Sequence, residues 1–180
     1  MRFLRGRSST ADEAGISLVE VIIYSALSAV VLSVLGGLVF TGFQTHAAVS
    51  GRDAATGAAE VVSDSLQTGI RNASIISVSS RLVKARVATG ASGWQCVAWA
   101  LTADGKLAYK AAAVPITSTD YSAWAVLADE VTPLDGTPAF SGSATQLGYS
   151  LAFTSGGITV PVAGVVTANA QGTGNPETCW

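Results

Sequence analysis

Apolar and polar positions follow three different rhythms along the chain, and each predicts a different element. From Ile16 to Phe43 the stretch ISLVEVIIYSALSAVVLSVLGGLVFTGF contains no Lys, Arg, Asp or Pro and a single carboxylate, Glu20. As a helix, these 28 residues span about 42 Å, more than the roughly 30 Å of a bilayer's hydrocarbon core. Beyond it, Ala47, Ala54, Ala55, Ala58, Val61, Val62, Leu66, Ile70 and Ala73 recur at steps of three and four, the spacing of one helical face. Arg52, Asp53, Glu60, Asp64 and Gln67 occupy the opposite face. The prediction is one long helix, lipid-soluble over 16–43 and amphipathic over 44–73. From Ser74 the period drops to two. Runs at 75–87, 95–101, 106–113, 123–127, 146–153, 158–162 and 165–170 read as strands separated by Gly, Asp, Ser and Pro clusters, with Asp104-Gly105 as a hairpin turn. Together they predict an antiparallel sheet domain over 74–180, its apolar face covered by the amphipathic helix: an α+β fold. In the first run Leu82, Lys84 and Arg86 share one face and Val83, Ala85 and Val87 the other, so Lys84 and Arg86 mark the expected solvent side.

Composition narrows the function classes. The 180 residues are 49% apolar and 12% charged, which excludes a multidomain enzyme and a disordered tail. One histidine and two cysteines remove most zinc and thiol chemistry. No P-loop, HExxH, GxSxG or dinucleotide glycine fingerprint occurs, and nothing points to an enzyme or to a cofactor. His46, just past the apolar stretch, reads as a surface residue, because no second histidine or cysteine pair completes a metal site.

Residues 1–15, MRFLRGRSSTADEAG, form a polar leader carrying Arg2, Arg5 and Arg7. The positive-inside tendency holds that end in the cytoplasm and places the remainder outside. A removable secretory signal has an apolar stretch of roughly 7 to 15 residues, about half of what stands here. A plain anchor accommodates the length but leaves Glu20 unexplained. A carboxylate costs about 2.5 to 3.5 kcal/mol at mid-bilayer on insertion scales, and less near the edge. Glu20 therefore needs a partner, the alternative being that it snorkels to the headgroups.

Gly15-Ile16-Ser17-Leu18-Val19-Glu20-Val21 resembles the N-terminal processing signal of type IV pilins and pseudopilins: a basic leader ending in glycine, an apolar first mature residue, a small hydroxyl residue, and glutamate fifth. The resemblance covers the leader and the N-terminal helix. It departs at Ile16, where phenylalanine or methionine is more usual. It implies cleavage between Gly15 and Ile16 by a membrane prepilin peptidase, N-methylation of Ile16, and a pilin-like fold. It also implies an assembly role for Glu20, whose carboxylate meets the amine of a neighbouring subunit, so that two costly ions cancel. Small residues at Ser25, Ala26, Ser28, Ala29, Ser33, Gly36, Gly37 and Gly42 suit close helix packing. Gly36-Gly37 lies about where many family members carry a proline, and two glycines loosen a helix by about 1 kcal/mol each.

Cys96 and Cys179 both fall on the extracytoplasmic side, where disulfides persist. A bond between them would enclose nearly the whole sheet and contribute roughly 4 kcal/mol in the chain-entropy model, two free buried thiols being the alternative. Each cysteine neighbours a tryptophan, Trp94 or Trp180. Asp129, Glu130 and Asp135 are the one acidic cluster that resembles the calcium loop of some secretion pseudopilins, but the spacing is not an EF-hand and a solvated loop is the simpler reading. Arg71, Arg81, Lys84 and Arg86 would touch DNA only in a competence pilus. Loss of the leader removes three of the 10 basic and two of the 12 acidic residues, leaving a net charge of −3 that does not favour phosphate.

The expectation is a structural subunit, a minor pilin or pseudopilin, made as a single-pass inner-membrane precursor with its C-terminal domain outside and then built into an extracellular filament. Its expected partners are other pilin subunits, the prepilin peptidase, the inner-membrane assembly platform and, before assembly, lipid. The alternative is a membrane-anchored binding or sensor domain whose leader is never cut.

Overall fold

The computed structural model describes residues 17–90, 93–170 and 179–180. The chain divides into two compact units, one ending at Thr45 and one starting at His46. Helix α1 (Leu18–Arg71) contributes to both and passes through Gly36-Gly37 unbroken. In the first unit it presents its apolar residues on every side, Leu18 being 78% and Phe40 64% exposed. In the second unit only one stripe is buried: Gly51, Ala55, Ala59, Val62, Leu66 and Ile70, at steps of three and four. The amphipathic reading holds, with the face displaced: Ala47, Ala54 and Val61 are exposed, whereas Gly51 and Ala59, absent from the expected face, lie inside the stripe.

Two antiparallel sheets form on this stripe, where the sequence suggested one. The first is a meander of β1 (Ala73–Val78), β2 (Leu82–Ala88), β3 (Trp94–Leu101), β4 (Leu107–Ala112) and β5 (Ala125–Ala128). The expected run 75–87 is broken into two strands by Ser79, whose N–H and hydroxyl both donate to the Leu82 carbonyl. The β3–β4 hairpin turns at Asp104-Gly105 as expected, with Gly105 at φ 80°. There Thr102, and after it the Lys106 ammonium 2.9 Å away, hold the Asp104 carboxyl down at about 2.

The second sheet is centred on β8 (Gln146–Ser155), which pairs along its full length with β9 (Ile158–Thr167). The Gly156-Gly157 turn between them has positive φ at both residues, as a two-residue hairpin requires. The other edge of β8 is shared end to end by β6 (Val131–Pro133) and β7 (Phe140–Gly142), joined through a 3-10 turn at Leu134–Gly136. These strands of three residues are too short to show a period. The expected break at residues 163–164 does not occur. Gly164 faces Tyr149, whose ring fills the space a side chain would take, so the glycine serves a close approach within one continuous strand.

Inner residues of both sheets and the α1 stripe form one core that includes Leu66, Ile70, Val83, Trp99, Leu107, Phe140, Leu151 and Phe153. Trp99 is its largest member, 1% exposed, and its indole N–H donates to Ser65 Oγ at 2.9 Å. The ring lies against Gly69 so closely that a β-carbon there would collide with Trp99 Cη2. Gly57 has open space around the same position. Gly57→Ala is therefore expected to stabilise the protein by up to about 1 kcal/mol through helix propensity. Gly69→Ala should destabilise it by about 1 to 3 kcal/mol through overpacking. Thermal unfolding of the two variants checks this, and shifts of the same sign would contradict the packing of Trp99 on the helix.

Candidate functional site

The first unit is a helix because its residues are apolar and small, without proline, and because its hydroxyls do not compete with the backbone. Ser25 donates to the Ile22 carbonyl at 2.9 Å, Ser33 to Ala29 at 2.8 Å, Thr41 to Gly37 at 2.9 Å and Thr45 to Thr41 at 3.0 Å. Such bonds bring a hydroxyl into hydrocarbon with its donor satisfied. By length and composition the helix can cross a membrane. Its exposed apolar girdle is stable only against lipid or other protein.

Glu20 stands in the first turn of α1, where the positive end of the helix dipole favours an acid. Its carboxylate is not alone. The Tyr24 hydroxyl, one turn further on, donates to Glu20 Oε1 at 3.0 Å. Sequence reading passed over Tyr24, although its i+4 spacing from Glu20 was the available signal. Gly15 and Ile16, the expected processing residues, lie outside the described residues.

In the second unit Cys96 on β3 is bonded to Cys179, with α-carbons 5.4 Å apart across a separation of 83 residues. The bond belongs to a second, smaller core on the outer face of the five-stranded sheet. There Ile116 and Trp124 lie over Ala98, Ala100 and Ala108, and the Ile116 N–H donates to the Cys179 carbonyl at 3.0 Å. This corrects the expected solvent side. Lys84 is half-buried and Arg86 only 8% exposed, because the segment after β4 and the C-terminal residues cover that face. The Arg86 guanidinium lies over the Trp94 ring at 5.0 Å, a cation–π contact that accommodates its burial. The cleft beside the disulfide, lined by Arg86, Trp94 and Pro115, has about 70 Å³, room for water and not for a cofactor.

The remaining candidates are dispersed. Asp129 and Glu130 lie between β5 and β6, and Asp135 lies in the 3-10 turn. Among the described residues no three carboxylate, thiol or imidazole side chains are grouped so that they could hold a metal, these three included. Arg81 is committed to the carbonyls of Leu101 at 3.1 Å and Thr102 at 2.7 Å. Arg71 donates to Gln67 on its own helix, and His46 is exposed on α1. Two grooves flank α1. One, of about 360 Å³, has Ser65, Gly69, Trp99 and Tyr109 in its lining; the other, of about 280 Å³, has Ala58, Glu130 and Phe153.

Comparison with known proteins returns no matching family model, no matching curated protein and no matching solved structure.

The disulfide generates a direct expectation. Non-reducing electrophoresis should show a monomer that runs faster than its reduced form. Cys179→Ser should lower stability by roughly 4 kcal/mol in the chain-entropy model. Alkylation of both thiols in unreduced protein would contradict the bond.

Proposed function

We propose that this chain is a structural subunit of a type IV pilus or related filament, a minor pilin or pseudopilin. The observation that carries the reading is Glu20, a lone carboxylate in the first turn of an exposed apolar helix, four residues past the Gly15-Ile16 signal that resembles a prepilin cleavage site. The prepilin peptidase cuts after Gly15 and methylates Ile16. The subunit waits as a single-pass inner-membrane protein with its disulfide-bonded domain outside. The assembly platform then transfers it from lipid into the filament, where the helices of other pilin subunits replace the bilayer around α1. The driving contact is electrostatic. An ammonium at Ile16 and a carboxylate at Glu20 are each costly in apolar surroundings, and pairing them across two subunits removes both costs while fixing their register. The net charge of −3 left after loss of the leader does not favour DNA as a partner.

N-terminal sequencing of the protein recovered from membranes should begin at Ile16, and Gly15→Arg should leave only the precursor. An intact Met1 terminus in cells with an active peptidase would assign the chain instead to the anchored binding or sensor domains. Glu20→Ala should be processed and accumulate in the membrane. Breaking a buried pair costs about 3 to 5 kcal/mol, so its incorporation into sheared filaments should fall by two or more orders of magnitude. Incorporation equal to wild type would remove the electrostatic driving contact.

A further inference from the structure

We propose that Tyr24 is a positioning residue for the Glu20 carboxylate, holding one of its oxygens so that the other is presented to the cationic N-terminus of a neighbouring subunit. The inference rests on the filament-subunit reading and adds to it a residue that the processing signal does not contain.

The geometry begins with the 3.0 Å bond from Tyr24 Oη to Glu20 Oε1. Side chains on a helix lean toward its N-terminus, so a residue at i+4 lies over the turn that carries residue i. Tyr24 is thus built to reach Glu20. Four hydroxyls of the same segment, those of Ser25, Ser33, Thr41 and Thr45, spend their protons on carbonyls of their own helix. A phenol is too long to do so. In hydrocarbon it needs an acceptor elsewhere, and Glu20 supplies one.

The benefit is mutual and directional. A glutamate near a helix N-terminus can snorkel back toward the headgroups. Tyr24, rooted one turn further along the helix, instead ties the carboxylate to the helix face with a charge-assisted bond, the stronger class of hydrogen bond. A carboxylate has two acceptor oxygens, so satisfying Oε1 leaves Oε2 for a second donor. Both side chains remain open to a neighbour, Tyr24 being 58% exposed. The arriving amine thus meets a carboxylate already oriented. The competing account is that Tyr24 is only an interfacial aromatic anchoring the helix at the membrane edge, in which case its hydroxyl would not act through Glu20.

A double-mutant cycle in cells making both tagged wild type and variant separates the two. The readout is the ratio of variant to wild type in sheared filaments, normalised to the ratio in the membrane. Tyr24→Phe removes only the hydroxyl and should lower incorporation about tenfold, equivalent to about 1.4 kcal/mol. In the Glu20→Ala background the same change should have no further effect. Equal losses in both backgrounds would make Tyr24 a packing or anchoring residue and overturn the proposal while leaving the filament reading intact. The absence of any loss with Tyr24→Phe would do the same. Full incorporation of Glu20→Ala itself would overturn both. A second measurement needs no filament: in the full-length chain in detergent micelles, the Tyr24 Cζ carbon-13 resonance should move on Glu20→Gln, and an unmoved resonance would show that the hydroxyl is not bonded there.

Discussion

The globular unit depends on one strip of contact, the buried stripe of α1, because it is the surface that both sheets share. Its residues are graded in size. At the upstream end stand Gly51, Ala55 and Ala59; downstream stand Val62, Leu66 and Ile70. Where the stripe is small, backbone comes close: a β-carbon on Gly51 would stand 2.8 Å from the Ser155 carbonyl oxygen at the β8–β9 turn. Where it is large, the side chains enter the middle of the core with no exposed area, each contributing about 1.5 to 3 kcal/mol. The taper lets this part of the helix seat a hairpin tip at one end and the thick centre of the core at the other.

The five-stranded sheet then poses a problem that the helix cannot solve, because a helix covers one face only. The other face is lined with alanine at Ala98, Ala100 and Ala108, too small to build a core without an added layer. That layer comes from the segment carrying Ile116 and Trp124 and from the C-terminal residues. Among the described residues, these connections belong to no strand of that sheet. The Cys96–Cys179 bond fastens them from β3, in the sheet interior, to the end of the chain. Oxidation of Cys96 and Cys179 thereby becomes part of how this face is closed.

Much of this was legible. The long helix, its change from apolar to amphipathic, the antiparallel strands and the Asp104-Gly105 turn follow from periodicity and turn chemistry, and the cysteine pairing was open to reading because the chain has two cysteines. What was not legible shares a physical cause, that contacts distant in sequence leave no local period. Gly51 is buried, yet glycine carries no apolar signal. Gly164 reads as a strand breaker until Tyr149 is seen to fill its place. Arg86 alternates as a solvent residue would, and only contacts distant in sequence, beside Pro115 and Cys179, bury it. β6 and β7 exist because β8 offers a free edge, not because three residues each have a strand's pattern. At the candidate site Glu20 announced itself by its cost, whereas Tyr24 was concealed among the apolar residues whose character most of its ring shares.

The chemistry of the first unit turns on which polar groups remain unsatisfied when water is gone. Backbone groups are paired along α1, and four hydroxyls are paired with that backbone. Tyr24 is paired with Glu20. The carboxylate keeps at least one further acceptor site, because a single hydrogen bond does not exhaust it. A lipid environment answers that remainder only at its edge, with headgroups and water. A packed array of helices has no such edge along its length, so there the remainder demands a cation carried by protein. The apolar girdle can pack in many rotations and shifts at similar energy, since its contacts are non-directional. The one charge cannot. In the proposed filament an otherwise slippery helix would thus acquire a single register at which its polar remainder is met.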